Sequence, residues 1–182
     1  MHEVRVVERD ELSPAELEAL LAWLEVAFDD GPWRPEHWAD VGPGPHAMVH
    51  DDEGALVAHA CVDWISVDVG GRTLQAGYLE DVATRADARG RGLGTAVVAA
   101  AQREIERRAE IGVLATGEFG FYERLGWRRW TGATSVTEAD GGVTRTPDED
   151  GSLMWLELPR TPTWVVGDLP IRRPRRDPEE AW

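Results

Sequence analysis

The chain has 182 residues, with 34 acidic side chains against 19 basic ones, all of them arginine, and a formal net charge of −15. This length fits one domain with a core that needs neither disulfides nor metal. The acidic excess argues against nucleic acid and anionic membranes as partners and favours cationic ligands, although acidity for solubility alone gives the same pattern. No apolar run of membrane-spanning length and no signal-peptide pattern occurs, so we expect a cytoplasmic location.

The first half of the chain is predicted to alternate between strands and one helix. Residues 13–16, Ser-Pro-Ala-Glu, form a capping box with proline at the first helical position, which marks the start of the helix. The Gly70-Gly71 pair is typical of a two-residue hairpin turn. The predicted elements are a strand at 3–8, a helix at 13–28, a long binding loop at 29–45, and strands at 46–50, 55–69 and 72–84.

The second half is predicted to begin with a helix that runs from a glycine-rich turn to about residue 109. After residue 158, prolines and arginines replace any hydrophobic periodicity, so the tail at 159–182 is expected to be irregular. The elements predicted between them are a strand at 111–116, a short helix at 118–125, a strand after Trp127, strands at 134–138 and 152–158, and turns at 141–142 and 147–151.

The glycine-rich turn, residues 89–94, has the sequence Arg-Gly-Arg-Gly-Leu-Gly. Glycines allow backbone N–H groups to converge, and the following helix adds the positive end of its dipole, so the turn suits a phosphate or pyrophosphate. A tight strand-to-helix connection alone would use similar residues. A P-loop needs a lysine that this chain lacks, and the acidic residue of a dinucleotide fold would fall near Leu114, in an apolar strand. The pattern that fits is Arg89-x-x-Gly92-x-Gly94.

This pattern, together with Phe121-Tyr122 and Gly126-Trp127 about thirty residues later, resembles the GNAT-type N-acetyltransferases. The resemblance implies an α/β fold whose central sheet is mixed, mostly antiparallel and twisted, with helices on both faces, in a single domain at 1–158. It also implies acetyl-CoA as co-substrate and no metal. The coenzyme contacts that it assigns are Val82, Thr84, Arg89, Gly90, Arg91, Gly92, Gly94 and Thr95.

Two residues at family motif positions are candidates for acid and base catalysis. Glu80, two positions before Val82, is the candidate general base, directly or through water; a solvated carboxylate, or one that binds a substrate ammonium, is the alternative. Tyr122 is the candidate general acid for the departing thiolate, with core packing as the alternative. Asp81 should point to the face opposite Glu80 if the strand is regular.

Cysteine and histidine suggest no further site. Cys61 lies in an apolar strand pattern and is predicted to be a small buried side chain rather than a nucleophile. His46 and His50 share a strand face, but no third ligand completes a metal-binding pattern, and no metal site is predicted.

A narrower resemblance covers residues 77–158. The segments Gly-Tyr-Leu-Glu-Asp-Val-Ala at 77–83 and Arg-Thr-Pro-Asp-Glu-Asp-Gly at 145–151, with an acidic tail that ends in tryptophan, look like those of the aminoglycoside 2′-N-acetyltransferases. That resemblance implies an acidic cleft for a polycationic aminosugar, which the tail completes. It also implies a role in antibiotic resistance and is compatible with a homodimer. The substrate contacts that it assigns are Glu80, Asp150, the α-carboxylate of Trp182 and one or more of Asp29, Asp30 and Asp40.

The chain also departs from that family. The segment between Thr116 and Tyr122 is shorter, and Arg172–Arg176 adds positive charge near the acceptor end. Two alternatives therefore remain open. One is a GNAT enzyme that acetylates a polyamine, another small amine or a protein N-terminus. The other is a non-catalytic acyl-CoA-binding sensor, which the retention of both Glu80 and Tyr122 disfavours.

Overall fold

The computed structural model describes residues 3–28, 43–175 and 182. The chain divides into two compact units, one formed by residues 1–63 and 79–104 and the other by residues 64–78 and 105–182. The predicted loop at 29–45, and with it Asp29, Asp30 and Asp40, lies almost entirely outside the described residues. Within the described part of the chain, no helix has both the length and the apolar character needed to cross a membrane.

The first unit packs a helix against antiparallel strands. Strand β1 pairs with β2, and β2 pairs with β3, with His46 opposite Cys61 in the second pairing. Leu20, Leu24 and Met48 belong to the apolar core of this unit. Its elements are β1 (Arg5–Glu8), α1 (Pro14–Phe28), β2 (Pro45–His50), the first part of β3 (Leu56–Val69), the end of β4 (Arg72–Thr84) and most of α2 (Leu93–Arg108).

The capping box predicted for α1 is confirmed. The Ser13 backbone N–H donates to the Glu16 carboxylate at 2.9 Å, and the Glu16 N–H donates to Ser13 Oγ at 3.3 Å. The reciprocal bonds satisfy two backbone donors at the start of the helix, which explains why α1 begins at Pro14.

The second unit is a mixed sheet with one short helix. Its strands follow the order β6-β9-β5-β4-β3-β10-β7-β8. The β4/β5 and β7/β10 pairings are parallel, and the other described pairings between strands are antiparallel. The elements, besides the remaining parts of β3, β4 and α2, are β5 (Ile111–Ala115), α3 (Phe119–Glu123), β6 (Arg128–Arg129), β7 (Thr134–Thr137), β8 (Val143–Arg145), β9 (Leu153–Glu157) and β10 (Ile171–Pro174).

Two strands differ from the expectation drawn from the sequence. The tail is not irregular throughout, because β10 pairs in parallel with β7 and antiparallel with β3. Its hydrophobic alternation is hidden, since the inward positions are taken by Ile171 and by an arginine, Arg173, which is only 4% exposed. Strand β8 was also missed, because all three of its residues are exposed and show no alternation.

Candidate active site

The glycine-rich turn has the backbone conformation that the sequence pattern requires. Gly90 and Gly92 have φ values of 77° and 78°, in the left-handed region that favours glycine, and a Cβ at either position would meet nothing within 4 Å. Helix α2 begins directly afterwards at Leu93, and the Ala96 N–H donates to the Gly92 carbonyl at 3.0 Å. The turn therefore ends at a helix N-terminus, where unsatisfied N–H groups and the helix dipole favour an anion.

Two arginines of the turn are hydrogen-bonded to the segment that precedes it. The Arg89 and Arg91 guanidinium groups donate to the backbone carbonyls of Thr84 and Asp87, both at 3.2 Å. Both arginines, like Gly90, Gly92 and Thr95, are exposed, whereas Val82, Thr84 and Gly94 are half-buried. The predicted coenzyme residues thus lie together along the end of β4, the turn and the start of α2.

Arg85, between β4 and the turn, forms two ion pairs. Its guanidinium bonds Asp87 at 2.6 Å and Asp51 at 3.1 Å. The bond from Arg85 lowers the pKa of Asp87, and a backbone bond from Ala55 is the largest cause that lowers the pKa of Asp51. Both carboxylates are therefore ionised at neutral pH, and that of Asp51 holds Arg85, directly after β4, to the β2/β3 turn.

The strand that carries Glu80 is not regular. Asp81 has a φ of 52°, the only positive value among the non-glycine residues that the structure describes. The assumption of a regular strand, on which the opposite-face prediction for Asp81 depended, is therefore wrong. Glu80 itself is half-buried. Left-handed backbone at a non-glycine residue persists only where neighbouring groups restrain it, and such sites concentrate in functional regions.

A cluster of polar side chains on β2 and β3 contacts the Glu80-Asp81 backbone. His46 Nδ1 lies 2.9 Å from His59 Nε2, and His59 Nδ1 lies 2.9 Å from the Asp81 carbonyl oxygen. The Cys61 sulfur lies within hydrogen-bond distance of two acceptors, the Asp81 carboxylate at 3.4 Å and the Glu80 carbonyl at 3.6 Å. Cys61 is buried as predicted, but it also makes these contacts.

Sequence reasoning missed the partner of His46. The structure pairs it with His59 and Cys61, and one ligand atom of each lies within 4.8 Å of the others. The signal available was the strand period, because His59 and Cys61 are two residues apart and so share one face of β3. The register that brings His46 opposite Cys61 could not be read from the sequence.

The buried state of His59 makes stability depend on pH. Burial, with a smaller effect of His46, lowers the pKa of His59 from 6.5 to about 3. Between these values the unfolded chain binds a proton that the folded chain does not, so stability should fall as the pH falls through this window, with a slope of about 1.4 kcal/mol per pH unit. Denaturant unfolding of His59→Asn from pH 7 to pH 4 should show a smaller slope, whereas His50→Asn, at an exposed position, should match the wild type. Equal slopes for all three proteins would contradict this.

Tyr122 lies in α3 with its ring packed edge-on against Phe121 and Trp127, at centroid distances of 4.9 and 6.3 Å. It is 8% exposed. Burial, followed by the charge of Glu118, raises the pKa of Tyr122 to about 12. The hydroxyl is therefore protonated at neutral pH and available as a hydrogen-bond donor.

Asp150, in the turn after β8, is hydrogen-bonded to residues of β7 and β8. Its carboxylate accepts bonds from the Thr134 N–H and hydroxyl, both at 2.8 Å, and from the Arg145 guanidinium at 2.7 Å. These bonds, that of Arg145 above all, hold the pKa of Asp150 well below its ordinary value. The carboxylate stays ionised and partly exposed, with its charge shared by Arg145.

The end of the chain is anchored in the second unit. The Trp182 indole is 9% exposed and joins the apolar cluster that contains Ile111 and Ile171. The Arg173 guanidinium lies 5.0 Å from the centroid of the Tyr78 ring and 5.6 Å from that of the indole. The Trp182 side chain is therefore packed rather than frayed.

The positive charge of the arginine-rich stretch is partly compensated. Arg172 forms an ion pair with Asp68 at 3.5 Å, and Arg175 forms one with Glu138 at 2.9 Å. Arg176 lies outside the described residues. The two ion pairs therefore neutralise part of the positive charge that the sequence indicates for this stretch.

The predicted catalytic and ligand-binding residues are divided between the two units. Glu80 and the coenzyme residues of β4, the turn and α2 belong to the first unit. Tyr122, Asp150 and Trp182 belong to the second unit.

Residues 8–130 match the family model of the acetyltransferase (GNAT) domain, and the chain belongs to this family of acetyltransferases. Among characterised proteins it is similar to the aminoglycoside 2′-N-acetyltransferase of Mycolicibacterium fortuitum, with 35% identity over 160 residues. That alignment covers 87% of this chain and 80% of the relative.

Solved structures share the fold. A GNAT family N-acetyltransferase from Escherichia coli in complex with CoA matches with a TM-score of 0.63 and 17% identity, over 94% of this chain and 89% of that one. A GNAT acetyltransferase from Brucella melitensis in complex with acetyl-CoA matches with a TM-score of 0.59 and 16% identity, over 93% and 96%. The chain spans only 33% of a longer probable N-acyltransferase from Enterococcus faecalis, which it matches over 72% of its own length with a TM-score of 0.59 and 18% identity. The predicted α/β GNAT fold is confirmed.

Proposed function

We propose that the protein transfers the acetyl group of acetyl-CoA to the 2′-amine of an aminoglycoside. The observation that carries this proposal is the 35% identity, over most of both chains, to a protein named aminoglycoside 2′-N-acetyltransferase. The net charge of −15 agrees with a polycationic acceptor.

The coenzyme is proposed to bind through the turn at residues 89–94 and the end of β4. Two left-handed glycines ahead of α2 support this role, as do the CoA and acetyl-CoA complexes of proteins with the same fold. The Val82 and Thr84 N–H groups would face the pantetheine and polarise the thioester carbonyl.

In the proposed reaction, the 2′-amine nitrogen attacks the thioester carbon, so that a C–N bond forms and the C–S bond breaks. Glu80, directly or through water, accepts the proton that the amine loses. The Tyr122 hydroxyl supports the leaving thiolate. Because the pKa of Tyr122 is about 12, above that of an ordinary thiol, its main contribution is a hydrogen bond that strengthens as the charge on sulfur develops.

The acceptor is proposed to meet carboxylates contributed by several segments. Asp150 is ionised and partly exposed, although Arg145 shares its charge. The α-carboxylate of Trp182 is the second candidate, and the burial of the Trp182 indole among core residues supports a fixed position for this residue.

Kanamycin B and kanamycin A test the proposal as a matched pair, because the first carries an amine and the second a hydroxyl at the 2′ carbon. Thiol release from acetyl-CoA should be rapid with kanamycin B and near background with kanamycin A. Equal turnover of the two would contradict a 2′-amine specificity. No turnover of either, together with robust acetylation of spermidine, would favour the polyamine alternative.

The coenzyme site is tested by replacing Gly92. A valine there would be forced to a φ of 78°, which β-branched residues adopt only under strain, and the turn should lose its shape. Isothermal titration calorimetry should show acetyl-CoA binding to the wild type without any acceptor, and binding at least about tenfold weaker for Gly92→Val.

Gly141→Val is the matched control, since Gly141 has a φ of 86° in a turn of the second unit and a Cβ there also meets nothing within 4 Å. It imposes similar backbone strain away from the turn at residues 89–94 and should bind acetyl-CoA like the wild type. Unchanged affinity in Gly92→Val would remove this turn from the coenzyme site.

A further inference from the structure

We propose that His59, held in place by His46, is a positioning residue that fixes the backbone of Asp81 and through it the placement of Glu80. This inference rests on the proposed function, because it assigns a role to the surroundings of the candidate base. It concerns residues of β2 and β3 that neither the coenzyme nor the acceptor is proposed to touch.

The backbone of Asp81 needs a restraint. Asp81 follows Glu80 directly and adopts a φ of 52°, which an aspartate tolerates only at an energetic cost. Relaxation of Asp81 to extended backbone would turn the peptide that joins it to Glu80. The catalytic carboxylate would then move relative to the strand that carries Val82 and Thr84.

The hydrogen bonds of the two histidines determine which ring nitrogens carry protons. A carbonyl oxygen only accepts hydrogen bonds, so the 2.9 Å contact to the Asp81 carbonyl requires the proton on His59 Nδ1. His59 is neutral because burial lowers its pKa, so its Nε2 is an acceptor. The 2.9 Å contact to His46 then requires the proton on His46 Nδ1. The donor and the acceptor of both hydrogen bonds, from His46 to His59 and from His59 to Asp81, are therefore determined.

Cys61 also contacts the Glu80-Asp81 segment. Its thiol lies 3.4 Å from the Asp81 carboxylate and 3.6 Å from the Glu80 carbonyl. Side chains of β3 thus contact the carbonyls of both Glu80 and Asp81. Since His46, His59 and Cys61 are fully buried, water does not compete for these bonds.

The same three side chains have donor atoms that a transition-metal ion accepts, within 4.8 Å of one another. An ion bound by both facing nitrogens would have to displace the proton between His46 and His59. Because the hydrogen bonds from His46 to His59 and from His59 to the Asp81 carbonyl each have a matched donor and acceptor, we assign the cluster to positioning rather than to metal binding.

The test compares His59→Leu with His59→Asn on the full-length protein. Leucine removes the donor to the Asp81 carbonyl, whereas the asparagine amide can place an N–H near the position of Nδ1. We expect kcat with kanamycin B to fall about tenfold or more in His59→Leu, with the KM for acetyl-CoA within about twofold of wild type, and to recover to within about threefold in His59→Asn. Full kcat in His59→Leu, or a folded His59→Asn as impaired as His59→Leu, would overturn the proposal.

A double-mutant cycle with Glu80→Gln separates positioning from general structural damage. If His59 acts through Glu80, His59→Leu should lower kcat much less in the Glu80→Gln background than in the wild type. The same fold-loss in both backgrounds would overturn the proposal.

Asp81 variants apply if His59→Leu does not fold. Asp81→Gly accepts a positive φ without strain and Asp81→Val does not, so the glycine variant should keep the higher kcat. An equal or higher kcat in Asp81→Val would overturn the inference.

Zinc titration tests the alternative of a metal site. One equivalent of Zn²⁺ bound tightly by the wild type and lost in Cys61→Ser would overturn the positioning assignment.

These outcomes are distinguishable from failure of the proposed function. If the wild type does not acetylate 2′-amines, the aminoglycoside proposal fails, and the same variants are compared on the amine that it does acetylate. If the wild type is active on kanamycin B and the variants match it, only the positioning inference fails.

Discussion

Replacing Tyr122 by phenylalanine should lower kcat by about 10²-fold or more while leaving acetyl-CoA affinity intact, the usual scale for a preorganised hydrogen-bond donor to charge that develops in the transition state. The substitution keeps the ring and its edge-on packing against Phe121 and Trp127, and removes only the hydroxyl. Steady-state kinetics with a 2′-amine acceptor, together with calorimetric titration of acetyl-CoA, would measure both quantities.

The chain supplies its own control, since Tyr78 and Tyr122 are its only tyrosines. Tyr78 is also buried, beneath the Arg173 guanidinium, and Tyr78→Phe removes the same atom from the core of the second unit. Its kcat should stay within about threefold of wild type. A fully active Tyr122→Phe protein would assign Tyr122 to packing alone.

Extending the chain beyond Trp182 should raise the KM for the aminoglycoside and lower kcat/KM by about ten- to a hundredfold, with the KM for acetyl-CoA unchanged. One charge-assisted contact has a free energy of roughly 1.5–3 kcal/mol, which corresponds to that factor. Two added glycines keep the buried indole but move the α-carboxylate away from it. Kinetics of the extended protein against the wild type would measure the effect.

Deletion of Trp182 is a less specific change, because the indole belongs to the apolar cluster of the second unit. Loss of a buried aromatic side chain lowers stability by about 3–5 kcal/mol, so the truncated protein should show a lower Tm as well as a higher KM. An extended protein with wild-type KM would show that the α-carboxylate contributes nothing to acceptor binding.

Local patterns made much of the fold predictable. The capping box of α1 depends on four consecutive residues, and the Gly70-Gly71 turn depends on two, with φ values of 57° and 84°. The coenzyme turn is equally local, because Gly90 and Gly92 need only their own positive φ and the start of α2. In each case the residues that determine the structure are neighbours in the sequence.

The features that could not be predicted from the sequence depend on contacts between residues that are far apart in the chain. Strand β10 places Arg173 at an inward position, which becomes favourable only when the Tyr78 and Trp182 rings lie beside the guanidinium. The contact of His59 with the Asp81 carbonyl, 22 positions away, requires a positive φ at an aspartate in the middle of a strand pattern. No local rule predicts that conformation, because propensity favours extended backbone there.

The position of the acetyl group on the product tests the central claim most directly. Tobramycin carries several amines, of which one is at the 2′ carbon, so a single incubation with acetyl-CoA offers the protein a choice among chemically similar groups. Two-dimensional NMR of the purified product should show one acetyl group, on the 2′ nitrogen. Acetylation at any other nitrogen, or no product under conditions in which the protein binds acetyl-CoA, would contradict the account.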